Sequence, residues 1–264
     1  MLELVKAERF DRRMTSGKTW PCLLECARAD GSDIELVAKF SAGCERRLGG
    51  LVVEAISAML AADLDLPVPE PFLVSFDEPF IQCLPSAQAE LAARLRASSP
   101  VAFGSSKLPP GFTLLPTGKS IPVAVRQQAV EIFAFDNLIQ NPDRRPDNPN
   151  LLFDGRSFAI FDHELAFMTE GIIGWKPPWK PGALQAINGN AHVLFTGLSG
   201  KSYDLSRLEG AWQAVTDQRI EDYRHALPAQ WKEGSGVADQ TLGFVAELRD
   251  NIGPALAEIV RVLS

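Results

Sequence analysis

Three polar side chains near the middle of the chain have the types and the order that phosphoryl transfer from a metal-bound nucleotide requires. Asp143 stands five positions before Asn148, and Asp162 follows the apolar run from Ser157 to Phe161. In such chemistry one carboxylate orients the hydroxyl nucleophile, while an amide and a second carboxylate hold the metal ions on the phosphates. We therefore predict Asp143 as the catalytic base and Asn148 and Asp162 as metal ligands.

Turn formation is the competing explanation for each of these residues taken alone. Asn141-Pro-Asp143 and Asp147-Asn-Pro149 are turn sequences, and Asp162 can cap the end of a strand. Asn150 competes with Asn148 as the metal-binding amide, and the sequence leaves that choice open. The combination favours chemistry, because these residues flank a predicted strand pair in the order of a catalytic loop followed by a metal-binding loop.

A lysine in the first part of the chain is the candidate for contacting the nucleotide phosphates. Lys39 lies on the third predicted strand, Ile34 to Phe40, where a kinase-type lysine belongs. Glu54, on a helix predicted from Glu45 to Leu64, is its expected ion-pair partner, and Glu45 is a weaker alternative. A solvated strand lysine and a glutamate on the polar face of the helix are the simpler explanations.

The loop from Thr15 to Thr19 lacks a complete phosphate-binding fingerprint. A P-loop would need glycine where Arg12 stands, and this loop precedes a strand rather than a helix, so that motif is excluded. Because the loop joins the first two predicted strands, its backbone amides could cover the nucleotide phosphates. Ser16 and Gly17 are therefore predicted as cofactor-binding residues.

The composition is that of an ordinary soluble globular protein, with 264 residues, 46% of them hydrophobic, and a net charge of -7. An acidic chain is a poor candidate for nonspecific nucleic-acid binding, so no nucleic-acid partner is expected. No apolar run approaches the length of a membrane span, and the charged N-terminus is unlike a signal peptide. Only two of the four cysteines, Cys22 and Cys26, are close in sequence, which indicates reduced thiols in a cytoplasmic protein rather than a zinc site.

Strand patterns come first along the chain and helical patterns follow, which predicts an α+β fold with two lobes. Residues 1–85 are predicted to form an N-terminal lobe, an antiparallel sheet plus a helix that covers the nucleotide. Residues 86–264 are predicted to form a mainly helical C-terminal lobe that carries the catalytic and metal-binding loops. A hinge near residue 85 would place a cleft between the lobes, where ligands commonly bind.

Four segments have local patterns that predict particular structures. Pro79 to Leu84 has the pattern of a short strand, Ser98 to Pro122 that of a long irregular connection, and Leu205 to Leu227 that of a helix. A last helix, residues 237–263, is predicted to kink at Gly253-Pro254. The loop from Trp175 to Lys180 interleaves tryptophan with lysine. It could contact a substrate protein, lipid headgroups or a partner, or it could be a surface loop pinned by its tryptophans.

At these residues the chain resembles the HipA-like kinases, a bacterial branch of the protein-kinase-like fold, and more distantly the type II phosphatidylinositol 4-kinases. The most specific match is the run from Phe135 to Arg144 together with the downstream Asp162. Supporting matches are Val37 to Phe40, Val53 to Ile56, Asp65 to Glu70, Phe103 to Ser105, Asp147-Asn148 and Leu165 to Phe167.

This resemblance implies a two-lobe kinase fold, ATP and Mg²⁺ as cofactors, and transfer of the γ-phosphate, with a serine or threonine of a protein as the expected acceptor. It carries the roles of base, metal ligands and nucleotide lysine to Asp143, Asn148, Asp162 and Lys39. A toxin–antitoxin role does not follow, because the larger HipA-type toxins have an extra N-terminal domain, and a small partner protein or antitoxin stays an open alternative.

Two positions depart from the family pattern. Arg145 stands where histidine is common, and Glu164 stands where glycine commonly follows the metal aspartate by two positions. Glu164 and the single glycine of the phosphate loop leave open a pseudokinase-like module that binds nucleotide or a partner without chemistry. The similarity around Asp162 and the loop of tryptophans and lysines leave open a lipid or small-molecule kinase.

Overall fold

The computed structural model describes residues 2–14, 19–116, 118, 120–169, 171, 173–185 and 192–264. Their contacts divide the chain into two compact units. One unit comprises Met1–Met59, Pro69–Leu108 and Glu221–Gln240, and the other comprises Leu60–Val68, Pro109–Ile220 and Thr241–Ser264. The division into functional lobes at residue 85 stays a prediction.

A closed barrel of five strands forms the centre of the first unit, in the order β1-β2-β3-β5-β4. The strands are β1 (Glu3–Arg13), β2 (Cys22–Ala27), β3 (Asp33–Lys39), β4 (Pro71–Ser75) and β5 (Val101–Ser106). Four of the five pairings are antiparallel, but β1 and β4 are parallel. The prediction of an antiparallel sheet is therefore wrong at this pairing, which closes the barrel and leaves no free edge.

The barrel interior explains the glycine within the predicted match Phe103 to Ser105. Gly104 pairs with Phe72 on one side and with Ala38 on the other. A Cβ atom at this position would lie 2.7 Å from Cγ2 of Val74, which is closer than packed carbon atoms approach. The matched glycine thus has a packing reason that is independent of any ligand.

This unit contains α2 (Glu78–Gln82), α3 (Ala89–Arg96) and most of α1 (Leu48–Asp63). The strand predicted from Pro79 to Leu84 is wrong, because α2 occupies it. The Asp77 carboxylate caps α2 by accepting a hydrogen bond from the Phe80 amide at 3.0 Å, and Pro79 lies in its first turn, where proline is favourable. The irregular connection predicted from Ser98 to Pro122 is also wrong, since it contains β5.

The second unit combines a small sheet with helices. Strands β6 (Thr113–Leu114), β7 (Leu151–Phe153) and β8 (Phe158–Ile160) form an antiparallel sheet in that order. Helix α4 (Arg126–Leu138) is buried from Ala129 onward, as expected for a core helix. These elements matter for function because α4 leads into the predicted catalytic loop, while the hairpin β7–β8 separates that loop from Asp162.

The C-terminal helices are more broken than the sequence predicted. The helix expected from Leu205 to Leu227 is two helices, α6 (Ser206–Gln213) and α7 (Asp217–Ala226), which follow the short helix α5 (Phe195–Leu198). The kink expected at Gly253-Pro254 lies instead at Asn251, between α8 (Ser235–Asp250) and α9 (Ile252–Leu263). Gly253 and Pro254 fall in the first turn of α9, where proline is tolerated. No helix of the described residues has both the length and the apolar character needed to cross a membrane.

Candidate active site

The end of α4 sets the direction in which the chain enters the predicted catalytic loop. Gln140 adopts a left-handed conformation with φ of 58°. The Gln140 amide donates to the Asn137 carbonyl at 3.3 Å, and the Asn141 amide donates to the Asp136 carbonyl at 2.8 Å. This pair of bonds is the Schellman ending, which stops the helix and turns the chain sharply. Asn141 therefore begins the loop from a fixed backbone position.

Asp143 is held by both of the amides that competed as metal ligands. Its Oδ2 atom accepts a hydrogen bond from Asn148 Nδ2 at 2.8 Å and another from Asn150 Nδ2 at 3.1 Å. The other oxygen, Oδ1, lies 3.7 Å from Nη2 of Arg145, which is too long for a hydrogen bond. Since each amide nitrogen faces Asp143, each amide oxygen is the atom that would ligate a metal. Asn150 is buried and left-handed, with φ of 41°, whereas Asn148 is half-buried, but both amides remain candidates.

Arg144, the residue after the candidate base, is fully buried and links the two predicted loops. Its guanidinium donates to both carboxylate oxygens of Asp136, at 2.5 and 3.1 Å. Its Nη1 atom donates to the backbone carbonyl of Asn150 and, at 3.3 Å, to that of Phe161. One side chain thus ties the base-bearing loop to the residue that precedes Asp162.

Asp136, near the end of α4, is the buried anion that balances Arg144. It also accepts hydrogen bonds from Asn141 Nδ2 at 2.9 Å and from His192 Nε2 at 3.1 Å. Burial raises the pKa of Asp136, but the charge of Arg144 and the hydrogen bond from His192 outweigh burial and hold the pKa well below its usual range. The carboxylate is therefore ionised in the folded protein.

His192 joins the network from a distant part of the chain. Burial lowers the pKa of His192 and outweighs the opposing effect of Asp136, so the ring is neutral. Its Nδ1 atom accepts from the Leu194 amide at 3.2 Å, which assigns the proton to Nε2, the atom that faces Asp136. The next residue, Val193, donates its amide to the Arg144 carbonyl at 3.0 Å. This segment therefore supports the predicted catalytic loop at both the side chain and the backbone.

Asp162 follows β8, as predicted, in an unusual backbone conformation. Its φ is 66°, in the left-handed region that non-glycine residues seldom adopt. The preceding Phe161 donates its amide to the Asn150 carbonyl at 3.4 Å. Strained residues of this kind cluster at functional sites, where the surrounding structure holds them. The structure thus brings the backbones leading to Asn150 and Asp162 together.

The side chains present fit Mg²⁺ in one particular way. Among the residues that the structure describes, no three histidine, cysteine, aspartate or glutamate side chains form a cluster able to hold a metal. Mg²⁺, however, commonly uses only one or two carboxylates and takes its other ligands from water and substrate phosphates. Asp162 with the amide oxygen of Asn148 or Asn150 is a donor set of that kind.

The predicted ion pair in the first unit is present. Lys39 Nζ lies 3.0 Å from Glu54 Oε2, and the side chains are only 10% and 3% exposed. Because Glu54 pairs with Lys39, the alternative partner Glu45, which is exposed, is not needed. Burial of the lysine excludes the simpler explanation of a solvated strand lysine. Ser16 and Gly17 lie outside the described residues, so their predicted role stays a prediction.

The sequence analysis did not select Asp136, Arg144 or His192 of this network as site residues. Asp136 had a recognisable signal, because it is an ionisable residue inside an apolar helical run, and such residues are seldom buried unless paired. Arg144 stood beside the candidate base, yet nothing local distinguishes a buried arginine from an exposed one. His192 had no signal, since it contacts Asp136 across 56 residues of sequence.

The site has the features of a kinase-like protein. An aspartate accepts hydrogen bonds from two asparagine amides, and a second aspartate with a left-handed backbone follows a short hairpin. The chain belongs to the HipA-like kinase family, which matches residues 8–173. Among solved structures, the chain is similar to the Helicobacter pylori proinflammatory kinase CtkA, with 11% identity, 96% of each chain covered and a TM-score of 0.49. A second similar structure is the Leishmania major MAP kinase LmaMPK10, with 11% identity, 97% of this chain and 86% of the other covered, and a TM-score of 0.26. None of the curated proteins matches the chain.

Protonation of His192 should make the stability of the protein depend on pH. The lowered pKa keeps the folded ring neutral where the unfolded chain, with an ordinary pKa of about 6.5, takes up a proton. Stability from this residue is thus fully present above about pH 6.5 and is lost as the pH falls. We expect the urea concentration at the unfolding midpoint to fall when the pH is lowered from about 7.5 to about 5.5. This interval lies above the range where an ordinary aspartate titrates.

The matched control is His192→Gln, which keeps a donor toward Asp136 but does not titrate. Its urea midpoint should change less over the same pH interval than that of the unmodified protein. Equal pH dependence in the two proteins would contradict a buried, neutral His192.

Proposed function

We propose that this protein is an ATP- and Mg²⁺-dependent phosphotransferase that acts on serine or threonine of a protein substrate. Membership of a kinase family supports the reaction class. The observation that carries the residue assignment is the arrangement of Asp143, whose Oδ2 is held by two amides while Arg144 ties its loop to the backbone before Asp162.

In this proposal Asp143 is the group that orients the acceptor hydroxyl. Its Oδ2 atom is occupied by Asn148 and Asn150, so Oδ1 is the oxygen that accepts the hydroxyl proton. Fixing the carboxylate in one rotamer supplies the positioning on which phosphoryl transfer mainly depends. The Arg144 side chain donates to the Asn150 carbonyl, and the Val193 amide donates to the Arg144 carbonyl. These two bonds would hold the loop in this conformation.

Asp162 and one of the two asparagine amides would hold Mg²⁺, which when bound neutralises charge on the transferring phosphate. Lys39 would contact the phosphates of ATP, oriented by its buried ion pair with Glu54. That ion pair, with its Nζ–Oε2 distance of 3.0 Å, would fix the position of the lysine ammonium group relative to the phosphates.

Replacing the proposed metal ligand gives the first test of this function. Asp162→Asn should lower phosphoryl transfer by at least about 100-fold, more than the loss of an outer-shell partner of a metal ligand costs. It should also raise the Mg²⁺ concentration needed for ATP binding. Incubation with γ-labelled ATP and Mg²⁺ measures transfer to the protein itself and to a mixed-sequence peptide library, as well as release of phosphate.

The matched control is Asp154→Asn, an aspartate in the turn of the same hairpin. Asp154 accepts hydrogen bonds from the backbone amides of Arg156 and Ser157, and asparagine can accept them equally. Its activity should stay close to that of the unmodified protein. The absence of transfer and of ATP hydrolysis in the unmodified protein would sink the proposal. Mg²⁺-independent ATP binding without turnover would point instead to a nucleotide-binding module.

A further inference from the structure

The segment that follows Asp162 is attached to the start of the catalytic loop. The Phe167 amide donates to the Ile139 carbonyl at 2.8 Å. Further along, Trp175 Nε1 donates to Gln140 Oε1 at 3.2 Å. Gln140 stands three residues before Asp143, so their Cα atoms are at most about 11 Å apart. Phe167 and Trp175 are therefore attached to the chain just before the candidate base.

An aromatic cluster holds the segment in place. The rings of Phe167, Trp175 and Trp179 each pack against Phe244 of α8, with centroid separations of 5.6, 6.1 and 5.8 Å. Both tryptophans are half-buried. These contacts correspond to the alternative of a surface loop pinned by its tryptophans.

Basic and apolar side chains of the segment that follows Asp162 are exposed. Ile173 is 101% exposed, and Met168 is 46% exposed. Lys176 and Lys180 are exposed, and neither forms an ion pair with any residue that the structure describes. We call Met168, Ile173, Lys176 and Lys180 the basic patch. Two exposed lysines that pair with none of the described residues, on a chain of net charge -7, form a local contrast that favours an acidic ligand.

We propose that the basic patch binds acidic residues of the protein segment that carries the acceptor hydroxyl. This inference rests on the proposed function and deepens it by naming the substrate class. Because an extended peptide advances about 3.3 Å per residue, the patch would contact residues a few positions from the acceptor serine or threonine. Ile173 and Met168 would cover the apolar parts of the same segment.

An anionic membrane suits the patch less well than an acidic peptide. Membrane-surface proteins place tryptophan at the headgroup level, whereas Trp175 and Trp179 pack against Phe244. Attachment to the residues before Asp143 instead favours a ligand that enters the same site.

Peptide binding tests the proposal without requiring turnover. The probes are a fluorescent serine-centred peptide flanked by glutamates and the same peptide with glutamines. The unmodified protein should bind the glutamate peptide about tenfold more tightly, as two exposed charge pairs allow, and added salt should weaken that preference. The double variant Lys176→Glu/Lys180→Glu should lose or reverse the preference.

The double variant Lys201→Glu/Lys232→Glu is the matched control, because it makes the same charge change at exposed lysines elsewhere. It should keep the preference for the glutamate peptide. Equal binding of both peptides by the unmodified protein, or equal loss in both double variants, would overturn the proposal. A third outcome would also overturn the proposal. In it the unmodified protein does not bind the glutamate peptide but sediments with phosphatidylserine vesicles, and Lys176→Glu/Lys180→Glu abolishes that sedimentation.

Rates measured with γ-labelled ATP separate this inference from the proposed function. Both double variants should hydrolyse ATP without peptide at the rate of the unmodified protein, since neither changes the candidate catalytic residues. Absence of turnover in all proteins, with the glutamate preference intact, would overturn the proposed function and leave the acidic ligand standing. Normal turnover without any preference would overturn the basic patch alone.

Discussion

Asp143→Asn is expected to lower phosphoryl transfer by about 10²–10⁴-fold, the range that a positioned base contributes. Asparagine keeps the size of the side chain and an oxygen that can accept from Asn148 and Asn150, so the loop should stay folded. What disappears is the negative charge and the ability to take the hydroxyl proton. Initial rates with γ-labelled ATP measure the loss, and calorimetry should show ATP binding close to that of the unmodified protein.

A second aspartate of the same loop provides the control for this variant. Asp147 is exposed and pairs with Arg145 at 3.2 Å. Exposed pairs of this kind contribute little, so Asp147→Asn should keep the rate within about twofold. A residual rate within about tenfold of normal in Asp143→Asn would contradict its role as the base. Equal losses in the two variants would show that charge in the loop matters and not its position.

Asp136→Ala is expected to lower the free energy of unfolding by about 3–5 kcal/mol, because it leaves Arg144 buried without its carboxylate. His192 and Asn141 lose their shared acceptor at the same time. Urea denaturation measures the change directly. The double variant Asp136→Ala/Arg144→Leu should recover part of the loss, since it removes the buried charge that the single variant strands.

An exposed ion pair sets the scale for that comparison. Glu90 pairs with Arg94 on the surface of α3 at 3.1 Å. Glu90→Ala should change the free energy of unfolding by no more than about 0.5 kcal/mol. If Asp136→Ala is as mild as Glu90→Ala, the buried network does not stabilise the protein, and Arg144 cannot be what holds the catalytic loop.

Local spacing was enough to predict the parts of the candidate site that depend on neighbouring elements. Lys39 and Glu54 could be paired because the third strand is where a kinase-type lysine belongs and the helix after it carries the expected glutamate partner. Asp143 and Asp162 could be selected as candidate site residues because a run of turn residues and a predicted strand pair lie between them. The structure confirms the Lys39–Glu54 pair and the hairpin, while the chemical roles stay predictions.

Contacts between distant segments could not be predicted in this way. His192 reaches Asp136 across 56 residues, and no periodicity of either segment indicates that contact. The errors in α2 and β5 have a different cause. Asp77 and Pro79 are a capping residue and a first-turn proline, so the signal for α2 was present but short. The strand β5 lay inside a segment rich in glycine, serine and proline, whose composition hid it.

The choice of the metal-binding asparagine is another point that local sequence patterns could not decide. Only Asn148 has the spacing of five positions from Asp143, and Asn150 is the competitor two residues further on, yet the structure brings both amides to the same oxygen of Asp143. These two hydrogen bonds do not identify the ligand, because the distinguishing interaction would be with the metal. Only a complex with Mg²⁺ and nucleotide separates the two asparagines.

The most direct test of the central claim is therefore a crystal structure of the protein with Mg²⁺ and a non-hydrolysable ATP analogue. We predict a metal coordinated at about 2.0–2.1 Å by an Asp162 oxygen and by the amide oxygen of Asn148 or Asn150. Oδ1 of Asp143 should face the space beside the γ-phosphate where an acceptor hydroxyl would lie. A nucleotide bound elsewhere, or a metal that contacts neither Asp162 nor those amides, would contradict the account.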